Sequence, residues 1–372
     1  VWDVDGNEYL DYPMALGPVL LGYAHPVVDE AIRRQLDDGI TFTLMHPLEV
    51  EVAERIVAMC PGVEAVRFGK SGSDAMSAAV RAARAITGRD GLLVAGYHGW
   101  HDWYIGSTTR DAGVPGAVSA LTSSFAFGDI EALADAFVRA PAPVAAVVLE
   151  PSGATVPAPG YLQALVDLAH DHGALVVFDE IIVGFRLAPG GARERYGVEP
   201  DLSCYGKALG NGMPISAVGG RWELMAVFEE IFFSGTHGGE ALSLAAARAV
   251  LDVVADGTVL AGIEARGSRL RDGMIERAAV AADRVVVDGE PQRAVVGFPG
   301  ADPLVDKSWV QQCFAEDGIL FNGSMFVSAS HDDRDIARTL DSFERACQGL
   351  AGGADVAPRL VGPPVQPVFR TP

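Results

Sequence analysis

The sequence predicts an α/β fold: a mostly parallel central sheet covered by helices, plus a smaller C-terminal α/β domain. Three observations lead there. Short apolar runs alternate with helical patterns up to about residue 245. The runs are continuously apolar and rich in Val and Leu, as in strands buried on both faces. After about residue 245 the rhythm changes to helices with only a few strands. At roughly 150 residues per domain, a 372-residue chain has room for about two.

Taken in order, VWDVDGNEYLDY opens the chain with an Asp-Gly turn between alternating apolar residues and reads as a hairpin. Four buried strands are expected at AVRFG (65–69), LLVAG (92–96), VAAVVLE (144–150) and ALVVFDE (174–180). Helices are expected over 73–88, 129–139 and 160–172, the spacing of a parallel sheet with crossover helices. Further strands are expected near DLSCYGK (201–207) and PISAVGG (214–220). The Ala-rich LSLAAARAVLDVVADG then leads into a segment with strands at AVVGF and ILFNG. The expected division is 1–40 as an N-terminal part of the small domain, 41–245 as the large domain and 246–350 as the small C-terminal domain. Residues 351–372, rich in Pro and Gly, read as an extended or partly disordered tail.

Composition narrows the function. Hydrophobic residues make up 49% and charged residues 21%, enough apolar material for a large core. A formal net charge of −21 repels phosphate backbones and argues against broad nucleic-acid binding. No run of 18 apolar residues offers a membrane span. Cys60, Cys204, Cys313 and Cys347 form no CxxC pair, so neither a zinc site nor a disulfide framework is expected. They read as buried reduced thiols, in keeping with a cytoplasmic protein. The chain begins at Val1 rather than Met, and a preceding segment is expected.

Ligands of open parallel sheets bind beyond the carboxyl ends of the strands. After AVRFG come Lys70, Ser71, Gly72, Ser73 and Asp74 at a helix start, where free N–H groups favour an anion such as phosphate. The plain alternative is a helix cap by Ser73 or Asp74. After LLVAG comes Tyr97-His98-Gly99-Trp100-His101-Asp102-Trp103-Tyr104, where a planar cofactor could stack on Tyr97; a packed loop is the alternative. After ALVVF come Asp179 and Glu180, carboxylates that burial requires to be paired, either with a cationic ring nitrogen or with an arginine such as Arg186. After DLSCYG comes Lys207 in a Gly-rich loop, where desolvation makes an amine nucleophilic. Phe233-Ser234-Gly235-Thr236-His237-Gly238-Gly239 offers further phosphate donors or an ordinary glycine-rich connection. Lysine occurs only at Lys70, Lys207 and Lys307. Lys70 sits beside the phosphate turn, where its charge could assist binding, with a solvated position as the favoured alternative, and Lys307 has no motif around it. A phosphate cradle, an aromatic platform, a buried carboxylate and one amine at strand ends are the needs of pyridoxal 5′-phosphate (PLP).

The motifs VRFGKSGSDAMSAAVRAARAITGRD, GYHGWHDW, LVVFDEIIVGFR and PDLSCYGKALGNGMPISAVGG resemble class III PLP-dependent aminotransferases, in the family's order and spacing. The resemblance runs over nearly the whole chain and is strongest to the glutamate-semialdehyde aminomutase branch. It implies the type I PLP-dependent transferase fold and a homodimer with shared active sites. Lys207 matches the family's Schiff-base lysine and Asp179 the carboxylate facing the ring nitrogen. Ile181 and Tyr97 match the residues on the two ring faces. Ser71, Gly72 and Ser73 match the phosphate turn, and Thr236 the threonine reaching the neighbouring subunit's phosphate. His98, Trp100, His101, Trp103 and Glu150 are candidates for the acceptor pocket, with packing around the cofactor as the alternative, above all for His98. No metal is expected.

The chain departs from the aminomutase at Ala15-Leu16-Gly17-Pro18, where that branch has TWGP, and at Gly323–Ser328, which lacks its glutamate. The stretch after Glu150-Pro151 is also shortened. The GKSGSDA and YHGWHDWYIG variants resemble a subgroup found with sugar, cell-envelope or natural-product pathways. The expectation is therefore an aminotransferase moving an amino group from an amino-acid donor to a carbonyl acceptor. That acceptor would be a keto sugar, an aminocyclitol precursor or a natural-product intermediate. The alternatives are an intramolecular aminomutase and, as a minor reading, a catalytically silent PLP-fold binding protein.

Overall fold

The computed structural model describes residues 1–366. The chain forms two units: Val1–Gly22, Ala154–Val156 and Thr258 onward make the smaller, and Tyr23–Gly153 with Pro157–Gly257 the larger. The first strand, β1 (Leu10–Asp11), belongs to the smaller unit.

Seven strands build the sheet of the larger unit. They are β2 (Ala65–Gly69), β3 (Gly91–Ala95), β4 (Thr122–Ser124), β5 (Val144–Leu149), β6 (Leu175–Glu180), β7 (Leu202–Tyr205) and β8 (Ser216–Gly220). Their spatial order is β2-β8-β7-β6-β5-β3-β4. Every pair is parallel except the two that β8 makes, which are antiparallel. Two reversals restore direction, so β2 runs the same way as β3, β5, β6 and β7. Their carboxyl ends therefore share one edge. Val144–Leu149 is fully buried along its length, as its unbroken apolar sequence requires.

Helices of eight residues or more, numbered along the chain, are α1 (Pro26–Asp38), α2 (Pro47–Met59), α3 (Gly72–Thr87), α4 (Ile130–Arg139), α5 (Tyr161–Asp171) and α6 (Ala241–Val254) in this unit. Ser71 caps α3: its Oγ accepts from Asp74 N–H while the Asp74 carboxylate accepts from Ser71 N–H, a capping box. Gly88 ends the helix in a left-handed conformation. Ala75, Ala78, Ala79, Ala82 and Ala83 are buried, and their small side chains let α3 lie close on the sheet, with Met76 buried among them.

The Ala-rich helix α6 packs on α1 and α2 and so belongs to the larger unit. The division consequently comes at Thr258 and Tyr23, later and earlier than the 246 and 41 expected from pattern. The pattern change after 245 marks the helix's composition rather than a boundary.

The smaller unit contains α7 (Thr258–Ala278), β9 (Val286–Glu290), β10 (Arg293–Gly297), α8 (Pro303–Glu316), β11 (Ile319–Leu320), β12 (Ser324–Phe326) and α9 (Asp333–Leu350). Strands β12, β10 and β9 form an antiparallel sheet. The expected opening hairpin forms as a short antiparallel pair around the Gly6 turn: Val1 and Tyr9 exchange backbone hydrogen bonds, Asp3 N–H donates to Asn7 O at 3.0 Å, and Trp2 bridges Glu8. Its second arm continues into β1, which lies parallel to β11. A two-stranded hairpin is marginal alone, and the pairing of β1 with a strand of the same unit supports it. Next comes a left-handed turn in which Met14, Ala15 and Leu16 have φ of 44°, 55° and 69°.

Residues 354–366 of the tail lie on α8. The Arg359 guanidinium sits 3.9 Å from the Trp309 ring, and Val365 N–H donates to Ser308 Oγ at 2.9 Å. The rest of the expected tail, 367–372, lies outside the described residues. Among the described residues no helix is long and apolar enough to cross a membrane. All four cysteines are free; Cys60, Cys204 and Cys347 are buried and Cys313 is half-buried.

Candidate active site

The shared strand edge holds a cavity of about 170 Å³ within the larger unit. The ends of β2, β3, β5, β6 and β7 each supply part of its wall. Gly72, Ser73 and Met76 come from the first turns of α3 after β2, and Tyr97, His98 and Gly99 from the loop after β3. Glu150 follows β5, Asp179 lies near the end of β6 with Ile181 and Ile182 beyond it, and Lys207 follows β7.

Asp179 is only 5% exposed, and its burial is compensated twice. Its Oδ1 accepts from Ile181 N–H at 3.1 Å, and its Oδ2 accepts from the His98 ring nitrogen Nδ1 at 2.8 Å. The expected alternative partner, Arg186, instead donates from Nε to Ile182 O at 2.9 Å. His98 is itself buried, its ring nearly parallel to Trp103 and edge-on to Tyr104. Trp103 in turn donates from Nε1 to Ser77 Oγ at 2.9 Å, and Ser77 Oγ is 2.7 Å from His101 Nδ1. Thus the HGWHDW motif fixes a histidine against a carboxylate. Trp103 is buried packing, while Trp100 is exposed and His101 half-buried, all three outside the cavity wall.

Tyr97 stands on the cavity wall with its ring edge-on to Tyr104. Burial, assisted by the Asp179 charge, pushes its phenol above the ordinary value. The Tyr104 phenol is pushed up to about 12 by burial and by Glu150. Lys207 is half-buried, with its backbone at φ 40°, in the left-handed region. Glu180, next to Asp179, points away into a wholly buried network. Its carboxylate accepts from Ala192 N–H at 2.6 Å and Ser203 Oγ at 3.0 Å, and burial pushes its carboxyl up to about 7.

At the α3 end, Ser71 acts as the cap, which leaves the N–H groups of Gly72 and Ser73 without acceptors inside the helix. Both residues line the cavity. A Cβ on Gly72 would come 3.1 Å from Ile181, and one on Gly99 2.2 Å from Ser73 Oγ. Gly99 also has φ of +94°, so glycine is required there on both counts. Thr236 is not in this cavity. It is exposed and lines a separate space of about 730 Å³ with Phe42, Leu44 and Phe233. Among the described residues no group of three His, Cys, Asp or Glu side chains could hold a metal.

Reading the sequence missed Met76, Gly99 and Ile182. Met76 was legible: it lies four residues after Gly72 and three after Ser73, on the same face of α3. Of the three sequence departures, Ala15–Pro18 and Gly323–Ser328 lie in the smaller unit, while the shortened stretch after Pro151 crosses between the units at Gly153–Ala154.

The family model for class-III aminotransferases matches residues 1–286. Glutamate-1-semialdehyde 2,1-aminomutase of Desulforudis audaxviator is 36% identical over 380 residues, covering 93% of this chain and 88% of the relative. The enzyme of the same name from Syntrophobacter fumaroxidans is 34% identical over 379 residues, covering 93% and 87%. Among solved structures, FumI of Sphingopyxis sp. MTA144, described in its PLP internal aldimine form, superposes with a TM-score of 0.86 at 31% identity. It covers 94% of this chain and 86% of its own. An omega-transaminase from Sphaerobacter thermophilus gives 0.85 at 26% identity, covering 93% and 88%. With three quarters of its length matched by the family model and relatives above 30% identity along nearly all of it, the chain belongs to the class-III aminotransferases, enzymes of PLP chemistry.

Proposed function

We propose that this protein is a PLP-dependent aminotransferase that moves an amino group from an amino-acid donor to a polar carbonyl acceptor. The observation that carries the reading is one cavity joining Lys207, the buried Asp179–His98 pair, Tyr97, Ile181 and the free N–H groups of α3. The residues fit the cofactor's parts. Gly72 and Ser73 N–H would bind the phosphate at a helix start. Tyr97 and Ile181 would flank the ring. Asp179, held by His98, would keep a proton on the ring nitrogen. When bound, PLP carries the amino group and takes up the electron pair released at the substrate carbon. Lys207 Nζ would anchor it covalently and, once released, carry the proton to and from that carbon. Thr236 would serve the phosphate of a second copy in a homodimer, as the resemblance implies. A cytoplasmic setting accords with four cysteines outside any disulfide.

For the acceptor, Glu150 sets a carboxylate on the cavity wall, and Lys207 is the single cationic side chain among the wall residues. That wall favours a neutral, hydroxyl-rich carbonyl such as a keto sugar or cyclitol over a dicarboxylate. His98 is assigned to the cofactor side, behind Asp179.

The second reading is an intramolecular aminomutase, which the names of the curated relatives favour. Purified protein with PLP should show a visible absorption band that Lys207→Ala loses. Turnover of keto-sugar acceptors should require an added amino donor. Turnover of glutamate semialdehyde without any donor would replace the first reading with the second.

A further inference from the structure

The 232–240 loop of the larger unit precedes α6 and carries Thr236. Three basic residues from one neighbourhood hold it. Arg81 Nη1 donates to Phe232 O at 2.6 Å, and Arg67 Nη2 to Phe233 O at 3.3 Å. Lys70 Nζ lies 2.9 Å from Glu240 Oε2, with the two side chains 23% and 12% exposed. Glu240 is the cap of α6: it accepts from the N–H groups of Leu242 and Ser243 and from Ser243 Oγ. Although burial opposes it, those bonds and Lys70 hold its carboxyl below the ordinary range, so it remains an anion.

This anion is tied through Lys70 to the turn that opens α3. Lys70 directly precedes Ser71, Gly72 and Ser73, and two residues span at most about 7 Å, so the Lys70 backbone lies within one turn of the phosphate cradle. A carboxylate tied to that turn would repel a phosphate dianion in a partly desolvated site. Lysine is scarce in the chain, yet one of three is spent here.

We propose that Lys70 is a positioning residue for the cofactor phosphate: it neutralises Glu240 and pins the 232–240 loop to the turn that opens α3. This rests on the PLP reading of the site. The pair does not touch the reacting atoms; it sets the charge and shape of the cradle's outer wall.

The test is titration of the cofactor-free protein with PLP and, separately, with pyridoxal, which lacks the phosphate. Binding is followed by absorbance in wild type, K70Q, K70R, E240Q and K70Q/E240Q. K70Q should raise the Kd for PLP by about tenfold and leave that for pyridoxal unchanged. K70R should stay near wild type, and K70Q/E240Q should recover most of the loss because the uncompensated anion is gone. Equal PLP affinity in K70Q and wild type, equal losses for PLP and pyridoxal, or no recovery in the double variant would each overturn the inference alone. A wild type that forms no absorbing complex with PLP would overturn the cofactor reading as well.

Discussion

A carboxylate at the end of an apolar strand can be buried only with a partner, and for Asp179 that partner is His98. Aspartate and histidine were each visible in the sequence as residues at strand ends. Their pairing was not, because 81 residues separate them and nothing local distinguishes His98 from His101. Among the described residues, replacing His98 by Leu leaves Asp179 with Ile181 N–H as its remaining donor. We expect kcat/KM to fall by roughly 10- to 100-fold, the usual scale for losing a residue that orients a functional group. The pH at which the bound cofactor changes colour should shift, which simple destabilisation would not cause. Unchanged kinetics and spectra would remove His98 from the machinery. Backbone conformation is the other feature hidden at this scale. Ala15 adopts φ of 55°, where an L side chain costs roughly 1–2 kcal/mol. Ala15→Gly should raise the unfolding free energy by about 1 kcal/mol, read by chemical denaturation. A loss of stability would mean that Ala15 is held by contacts worth more than its strain.

Elements were legible where they are long and periodic. AVRFG at 65–69 coincides with β2, and the helix expected over 73–88 differs from α3 by one residue at each end. The opening hairpin was legible from its Asp-Gly turn, but the parallel partner of the β1 strand that continues its second arm lies 309 residues away, beyond any local signal. The segment before α9 shows a similar long-range dependence. His331 is buried against Tyr12, with ring centroids 4.7 Å apart, and its Nδ1 accepts from Ser328 N–H at 3.0 Å. Burial lowers its pKa from 6.5 to about 4. The unfolded chain therefore takes up this proton more readily than the folded one. The contribution is intact above about pH 6.5 and is lost as pH falls toward 4, by roughly 3 kcal/mol in all. Unfolding free energies from pH 7 to 4 should fall more steeply in wild type than in His331→Gln. Equal slopes would show that His331 titrates normally.

At the scale of the whole molecule, charge and exposed apolar surface pull in opposite directions. The chain carries a formal charge of −21, so two copies repel. Yet Leu44, Met45 and Trp222 are 83%, 70% and 62% exposed around the cavity that includes Thr236. If that face joins two copies, Leu44→Asp should shift the sedimentation of the protein toward a monomer. Low ionic strength should do so in part, because screening weakens below about 0.1 M salt. A wild type that sediments as a monomer throughout would reject the dimer and with it the role given to Thr236. The sheet's connectivity has a consequence for how the protein is made. Among the described residues, strand β2 lies at the edge of the sheet and pairs only with β8, about 150 residues later. The turn that opens α3 is among the first functional pieces to leave the ribosome, yet its strand has nothing to join until Gly220 has been synthesised. A nascent chain stopped before β8 would have β5, β6 and β7 available for α3 to pack on, with β2 still unpaired. The first strand of the large sheet to be synthesised is thus the last to gain a partner.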